Sequence, residues 1–241
     1  MISQAKIKLI KSLQNKKFRD QYGLFTVEGE KMVSEVLKSS FEVEEVFTRD
    51  EIGEETMARI SALSNPSPVL ALVRKPAPEA VQVPSEGLFL ALDTIRDPGN
   101  MGTIIRIADW FGLDGIFASE GSVDVFNPKV VQSTMGAIFR VKFNYCDIPS
   151  LCRDMVSKGG KVYGTFLDGD NIYRQSLSDS LSLIVIGNES EGISEEVSRL
   201  VTDRLFIPPY PEDEPGSESL NAAVATAVTV AEFRRRKSIC F

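Results

Sequence analysis

Arg106 stands between Ile104-Ile105 and Ile107-Ala108, a permanent cation in an otherwise apolar stretch. A guanidinium stays protonated in almost any environment. Its chemistry is therefore to hold a carboxylate or a phosphate. Six residues earlier, Asn100 closes the turn Asp97-Pro98-Gly99-Asn100, where a helix N-cap belongs. A second polar turn, Gly187-Asn188-Glu189-Ser190-Glu191-Gly192, places two carboxylates after the apolar run Leu183–Ile186. Its outer glycines permit close ligand approach, and its acids repel phosphate, so a cationic or hydroxyl-bearing ligand suits it. A third turn, Gly216-Ser217-Glu218-Ser219-Leu220-Asn221, leads into the small-residue run Ala222–Val228. Each turn also has a plainer reading: asparagines as caps, Arg106 as a surface cation, the alanines as an ordinary buried helix.

The elements that must position these residues alternate along the chain. Runs at Leu88–Leu92, Gly115–Ala118, Phe139–Phe143, Lys161–Phe166, Leu183–Ile186 and Leu205–Ile207 read as strands. Helices are expected at Gly102–Phe111, Lys129–Met135, Ile148–Lys158, Ser194–Leu200 and Ser219–Arg236. Apolar runs without alternation, such as Leu183–Ile186, suit strands covered on both faces, hence a mostly parallel α/β sheet. Polar turns at the ends of such strands build a ligand crevice. Residues 1–74 read as a smaller α/β unit. It has helices at Ala5–Leu13, Glu28–Ser39 and Glu54–Leu63 and strands at Leu24–Val27, Phe41–Thr48 and Val69–Val73. The proline-containing segment 75–86 reads as a linker to a larger domain, 87–241.

Composition narrows the chemistry. The 241 residues contain no histidine, which excludes imidazole acid–base catalysis and every histidine-dependent triad. The three cysteines lack metal-ligand spacing, which predicts reduced thiols and no metal site. No apolar run reaches the length of a membrane span, and lysines interrupt the N-terminus, so a cytoplasmic protein is expected. The net charge of −7 has the wrong sign for a surface that binds nucleic acid everywhere. Any RNA site must be a local basic patch, either in the first twenty residues or at Arg234-Arg235-Arg236-Lys237. Solvated helix faces are the plainer reading of both runs.

Three stretches together resemble the motifs of the SpoU/TrmH family of RNA 2'-O-methyltransferases, a branch of the SPOUT class. They are Asn100-x-Gly102-x-x-x-Arg106, Leu183 through Ser194, and Ile207-Pro208 followed by Ser219-Leu220-Asn221. Gly136 through Val141 resembles a characteristic link between them, and Leu24 through Gly29 resembles the family's small L30e-like substrate domain. The resemblance implies an α/β fold with a C-terminal trefoil knot and S-adenosylmethionine bound near Thr165, Gly187, Ile207 and Leu220. It implies a homodimer with the arginine acting across the interface, and an rRNA or tRNA substrate methylated on a ribose 2'-OH. Arg106 then activates or positions the hydroxyl and Asn100 orients it. Glu189 supports the site, and Ser219 with Asn221 binds the ribose or the arginine. Two features depart from the family pattern. The loop Pro209–Pro215 is long, acidic and beside the expected cofactor pocket, and Ala223 stands where a serine is common. A catalytically inactive RNA-binding module on the same fold is the alternative. A Rossmann-type oxidoreductase would need a G-x-G-x-x-G turn, which Gly99-Asn100-Met101-Gly102 does not supply.

Overall fold

The computed structural model describes residues 2–77, 82–178, 180–211 and 218–238, with side chains to residue 235 in the last stretch. In chain order its first elements are α1 (Gln4–Ser12), α2 (Lys16–Tyr22), β1 (Leu24–Glu28), α3 (Glu30–Leu37), β2 (Val43–Thr48), α4 (Arg49–Ile52), α5 (Glu54–Ile60) and β3 (Val69–Arg74). There follow β4 (Gly87–Asp93), α6 (Pro98–Trp110), β5 (Gly115–Ala118), α7 (Pro128–Ser133), β6 (Phe143–Tyr145) and α8 (Ile148–Ser157). The last are β7 (Lys161–Asn171), β8 (Leu181–Gly187), α9 (Glu195–Ser198), β9 (Asp203–Phe206) and α10 (Ala222–Ser238). These pack as two compact units. One is Met1–Pro78 with Asp124–Arg140, and the other is Glu79–Val123 with Val141–Phe241.

The first unit is a three-stranded antiparallel sheet, ordered β1-β3-β2. Alternate residues of β3 face opposite ways, so Leu70 and Leu72 meet Ile7 and Ile10 of α1, Leu13 that caps it, and Met57 and Ile60 of α5 in one core. On β1, Phe25 meets Phe126 at 4.7 Å between ring centroids, and Phe139 meets Phe41 at 5.4 Å. The segment Asp124–Arg140 thus belongs to this unit by packing. A buried ion pair fixes it further. Arg19 donates through Nε and Nη2 to Asp124 Oδ2 (2.9 and 2.7 Å) and through Nη1 to the Leu13 carbonyl (2.7 Å).

One local expectation is corrected by the backbone. Phe139–Phe143 is not a strand. Met135 (φ 52°) and Gly136 (φ 96°) are both left-handed, so the chain turns sharply and Ala137–Phe139 enters as a 3-10 turn. The strand begins only at Phe143. Sequence reading also passed over α2, which Asn15 opens by accepting from the Lys17 N–H and Gly23 (φ 64°) closes.

The second unit is a six-stranded sheet among the described residues, ordered β6-β5-β4-β8-β7-β9, every pairing parallel. Strands β4 and β8 are its middle, buried along nearly their whole length, as the unbroken apolar runs require. From β4 the chain builds outward through β5 and β6, whereas β8, β7 and β9 lie on the other side. The sheet therefore has a topological switch beside β4, where crevices form at carboxyl ends. α10 packs on α6, and the two are tied at both ends. The Asn221 side chain bonds that of Asn100, and Arg234 donates to the carbonyls of Phe111 (2.9 Å) and Gly112 (2.6 Å).

That arrangement bears on the C-terminal basic run. Arg234 caps the end of α6, and Arg235 pairs with buried Glu232 at 2.8 Å, so these two act within the fold. The side chains of Arg236 and Lys237 lie outside the described residues. So do residues 212–217, most of the acidic loop singled out in the sequence.

Candidate functional site

α6 begins at Pro98, four residues before the expected start at Gly102. Asp97, not Asn100, is the N-cap, accepting from the Asn100 N–H at 2.7 Å, with Pro98 in the first turn. This frees the Asn100 side chain for longer-range work. Its Nδ2 donates to Glu189 Oε1 at 2.7 Å, and its Oδ1 accepts from Asn221 Nδ2 at 2.8 Å. Asn221 is the cap of α10, its Oδ1 accepting from the N–H groups of Ala223 (3.0 Å) and Val224 (3.3 Å). Ser219 and Leu220 precede that helix instead of belonging to it, which corrects the expected start at Ser219. One hydrogen-bonded chain, Glu189–Asn100–Asn221, thus links the three polar turns.

The second turn is shaped by its backbone. Asn188 and Gly192 exchange backbone hydrogen bonds at 2.9 Å, folding Glu189–Glu191 into a tight loop. A Cβ on Gly187 would lie 2.3 Å from the Gly192 carbonyl carbon and the Ile193 nitrogen, so only glycine fits. The Asn188 side chain accepts from the N–H groups of Ser190 and Glu191 and donates to the Thr94 carbonyl at 2.8 Å.

Asp93 and Thr94 are residues that sequence reasoning missed. Asp93 is buried at the end of β4. It accepts the Ser194 N–H at 2.8 Å, which ties the far end of the second loop to β4, and the hydroxyl of its neighbour Thr94 at 3.2 Å. Thr94 holds a left-handed φ of 63°, a strained conformation typical of sites whose surroundings over-determine them. The signal was present: a carboxylate directly after five buried apolar residues needs partners.

A pocket of about 580 Å³ opens at the carboxyl ends of β7, β8 and β9, the size that suits a drug-sized ligand. Its lining includes Thr165, Gly187, Ile207 and Leu220, the four expected cofactor contacts, together with Glu189 and Ser219. Its charged lining residues among those described are Glu189, Glu191 and Glu218, so the pocket favours a cationic ligand. Asn100 and Asn221 stand behind it as braces and do not line it.

Arg106 is not brought together with the others. It is exposed on α6, and its guanidinium makes no hydrogen bond or ion pair within the described residues. The carboxylate partner foreseen as one option is therefore not found among the described residues. Thr103 and Trp110 share that exposed face, three and four residues away, and Trp110 is 86% exposed. No group of histidine, cysteine, aspartate or glutamate among the described residues could hold a metal ion. No described helix is long and apolar enough to cross a membrane.

Fold and site define a class: an α/β domain whose crevice, at the carboxyl edge of a parallel sheet, suits a small cationic ligand. Residues 87–231 match the SpoU rRNA Methylase family and residues 4–64 match the MRM3-like substrate binding domain. The chain belongs to the SpoU rRNA methylase family. It is 30% identical over 244 residues to the 23S rRNA (guanosine(2553)-2'-O)-methyltransferase RlmP of Bacillus subtilis, which spans 95% of this chain and 96% of that one. Among solved structures, a candidate RNA methyltransferase of the TrmH family from Porphyromonas gingivalis shares 38% identity. It superposes with a TM-score of 0.87 over 98% of this chain and 99% of its own. An AdoMet-bound rRNA methyltransferase from Sinorhizobium meliloti shares 27% identity, with a TM-score of 0.86 over 98% and 97% of the two chains.

Proposed function

We propose that this protein transfers the methyl group of S-adenosylmethionine to a ribose 2'-hydroxyl of rRNA or tRNA, in the cytoplasm and as a homodimer. The observation that carries the reading is the anionic pocket, lined at Thr165, Gly187, Ile207 and Leu220, with the Glu189–Asn100–Asn221 network behind it. When bound, S-adenosylmethionine supplies an electrophilic methyl group on a sulfonium. The pocket suits it on two counts: its size and the carboxylates of its lining, which favour a cation. The crossing of the C-terminal segment as a trefoil knot belongs to the same proposal.

The chain's own residues have distinct parts. Backbone groups near Gly187, Ile207 and Leu220, with Thr165, hold the donor. Asn100 and Asn221 keep the three loops in register. Ser219, exposed at the pocket, is placed for the ribose or for the arginine. Arg106 steadies the 2'-oxygen as its proton leaves for a neighbouring phosphate or carboxylate, a role for a fixed cation that is not a base. Because Arg106 stands outside the pocket of its own chain, we assign it to the site of a second copy. Exposed Trp110 on the same helix face supports that assignment, since a lone exposed indole is a typical interface anchor.

RNA docking falls to the N-terminal unit. That unit carries fourteen lysines and arginines against twelve acids, whereas the C-terminal unit carries thirteen against twenty-two. Lys8 and Lys11 are exposed and form no ion pair among the described residues, exposed Lys17 lies 5.9 Å from the Phe18 ring centroid, and Lys6 is engaged by Glu45 and Lys16 by Asp20. The test is transfer from labelled S-adenosylmethionine to unmodified bacterial RNA, digested and read nucleoside by nucleoside. A 2'-O-methylated nucleoside is expected. A base-methylated product, or no donor binding, overturns the proposal.

A further inference from the structure

Strand β7 carries an irregularity that none of the three motifs explains. Leu205 of β9 pairs with both Thr165 and Asp170, so residues 166–169 bulge out of the ladder. Phe166 and Leu167, the first half of that bulge, line the pocket, and Leu167 is 69% exposed at its rim. A four-residue excursion from the β7–β9 ladder interrupts its register and needs another anchor.

Arg204 supplies it. Its guanidinium lies 3.5 Å from the centroid of the Phe166 ring, its Nη2 donates to Asp168 Oδ1 at 2.5 Å, and its Nη1 donates to Ser198 Oγ at 3.1 Å. One planar cation thus stacks on the first residue of the bulge and forks between the third and the β8–β9 connection. The backbone around it leaves little slack. A Cβ on Gly169 would meet the Leu205 and Arg204 carbonyl carbons at 2.7 and 2.9 Å. A Cβ on Gly164 would meet the Phe166 ring at 2.5 Å, because that ring folds back over Gly164 beside Ile193.

We infer that Arg204 is a positioning residue for the methyl-donor pocket, holding the 166–169 bulge as one of its walls through Phe166 and Asp168. The inference rests on the pocket being the donor site. Lysine at 204 would keep a charge for Asp168 but neither the planar stack on Phe166 nor the fork, so Arg204→Lys is expected to recover only part of the function.

Calorimetric titration of the full-length protein with S-adenosylmethionine, beside steady-state kinetics on RNA, tests it. Arg204→Ala is expected to bind the donor about tenfold more weakly and to raise its KM alike. The KM for RNA and the rate at saturating donor should change less than about twofold. Arg204→Lys should fall between Arg204→Ala and the wild type. Asp168→Ala, at a position whose side chain is 76% exposed, cannot unfold the domain and should weaken donor binding severalfold. Donor affinity within twofold of wild type in both Arg204→Ala and Asp168→Ala would overturn the inference. So would equal losses in donor binding, RNA binding and saturated rate. Failure of the wild type to bind donor would overturn the reading beneath it, and this inference with it.

Discussion

Gly187 and Cys152 illustrate how single residues divide between site and scaffold. The Cβ that Gly187 lacks would sit 2.3 Å from the backbone of the following loop, a distance no rotamer change relieves. Gly187→Ala is therefore expected to abolish detectable S-adenosylmethionine binding by calorimetry while leaving far-ultraviolet circular dichroism close to wild type. Cys152, by contrast, serves packing. Burial, then the nearby Asp93 carboxylate, pushes its thiol up from 9.0 to about 12, and burial with Asp147 pushes Cys146 to about 11. Both folded values lie above the unfolded one, so their contribution to stability is complete below about pH 9 and is lost as pH rises through about 11 to 12. Peptides containing Cys146 and Cys152 should stay unalkylated by iodoacetamide at pH 8.5 in the folded protein and react in urea. Fast labelling of the native protein would show that these thiols are not sealed.

At the scale of elements, the coupling of α6, α10 and the β8 loop rests on asparagines with two jobs each. Asn221 caps α10 through its carbonyl and reaches Asn100 through its amide nitrogen. Asn221→Ala loses both and should cost about 0.5–2 kcal/mol from the cap alone. Asn221→Asp keeps the acceptor but not the donor. It should restore the melting temperature without restoring transfer, a split that a purely structural asparagine would not give. The polar turns and the parallel strands that carry them were legible in the sequence because both depend on local signals: unbroken apolar runs, then glycine and asparagine. That the turns share one site was legible only as a resemblance, and the hydrogen bonds among them were not, since Asn100 and Asn221 meet across 121 residues. The bulge at 166–169 and the 3-10 turn at Ala137–Phe139 were not legible. Both arise where packing from distant chain, Arg204 in one case and Phe41 in the other, overrides a strand-like pattern.

For the whole molecule, the instructive feature is Asp124–Arg140. By sequence it sits inside the stretch matched by the methylase family, yet it packs with the N-terminal sheet. No local pattern announces this. It follows from the aromatic contacts of Phe126 and Phe139 and from Arg19–Asp124, whose side chains are only 2% and 8% exposed. Removing one partner of a buried pair strands the other charge, so Asp124→Ala should lose about 3–5 kcal/mol and lower the melting temperature by roughly 10 °C. A change below about 1 kcal/mol would mean that the pair does not hold the segment in place.

The most direct test of the account compares wild type and Arg106→Ala in one set of preparations, measuring S-adenosylmethionine affinity and methyl transfer to RNA side by side. Arg106 lies outside the pocket and has no partner among the described residues. Donor affinity is therefore expected within about twofold of wild type and transfer reduced at least about a hundredfold, as when a residue that stabilises a developing oxyanion is removed. Substantial transfer by Arg106→Ala, or loss of donor binding in step with transfer, would contradict it.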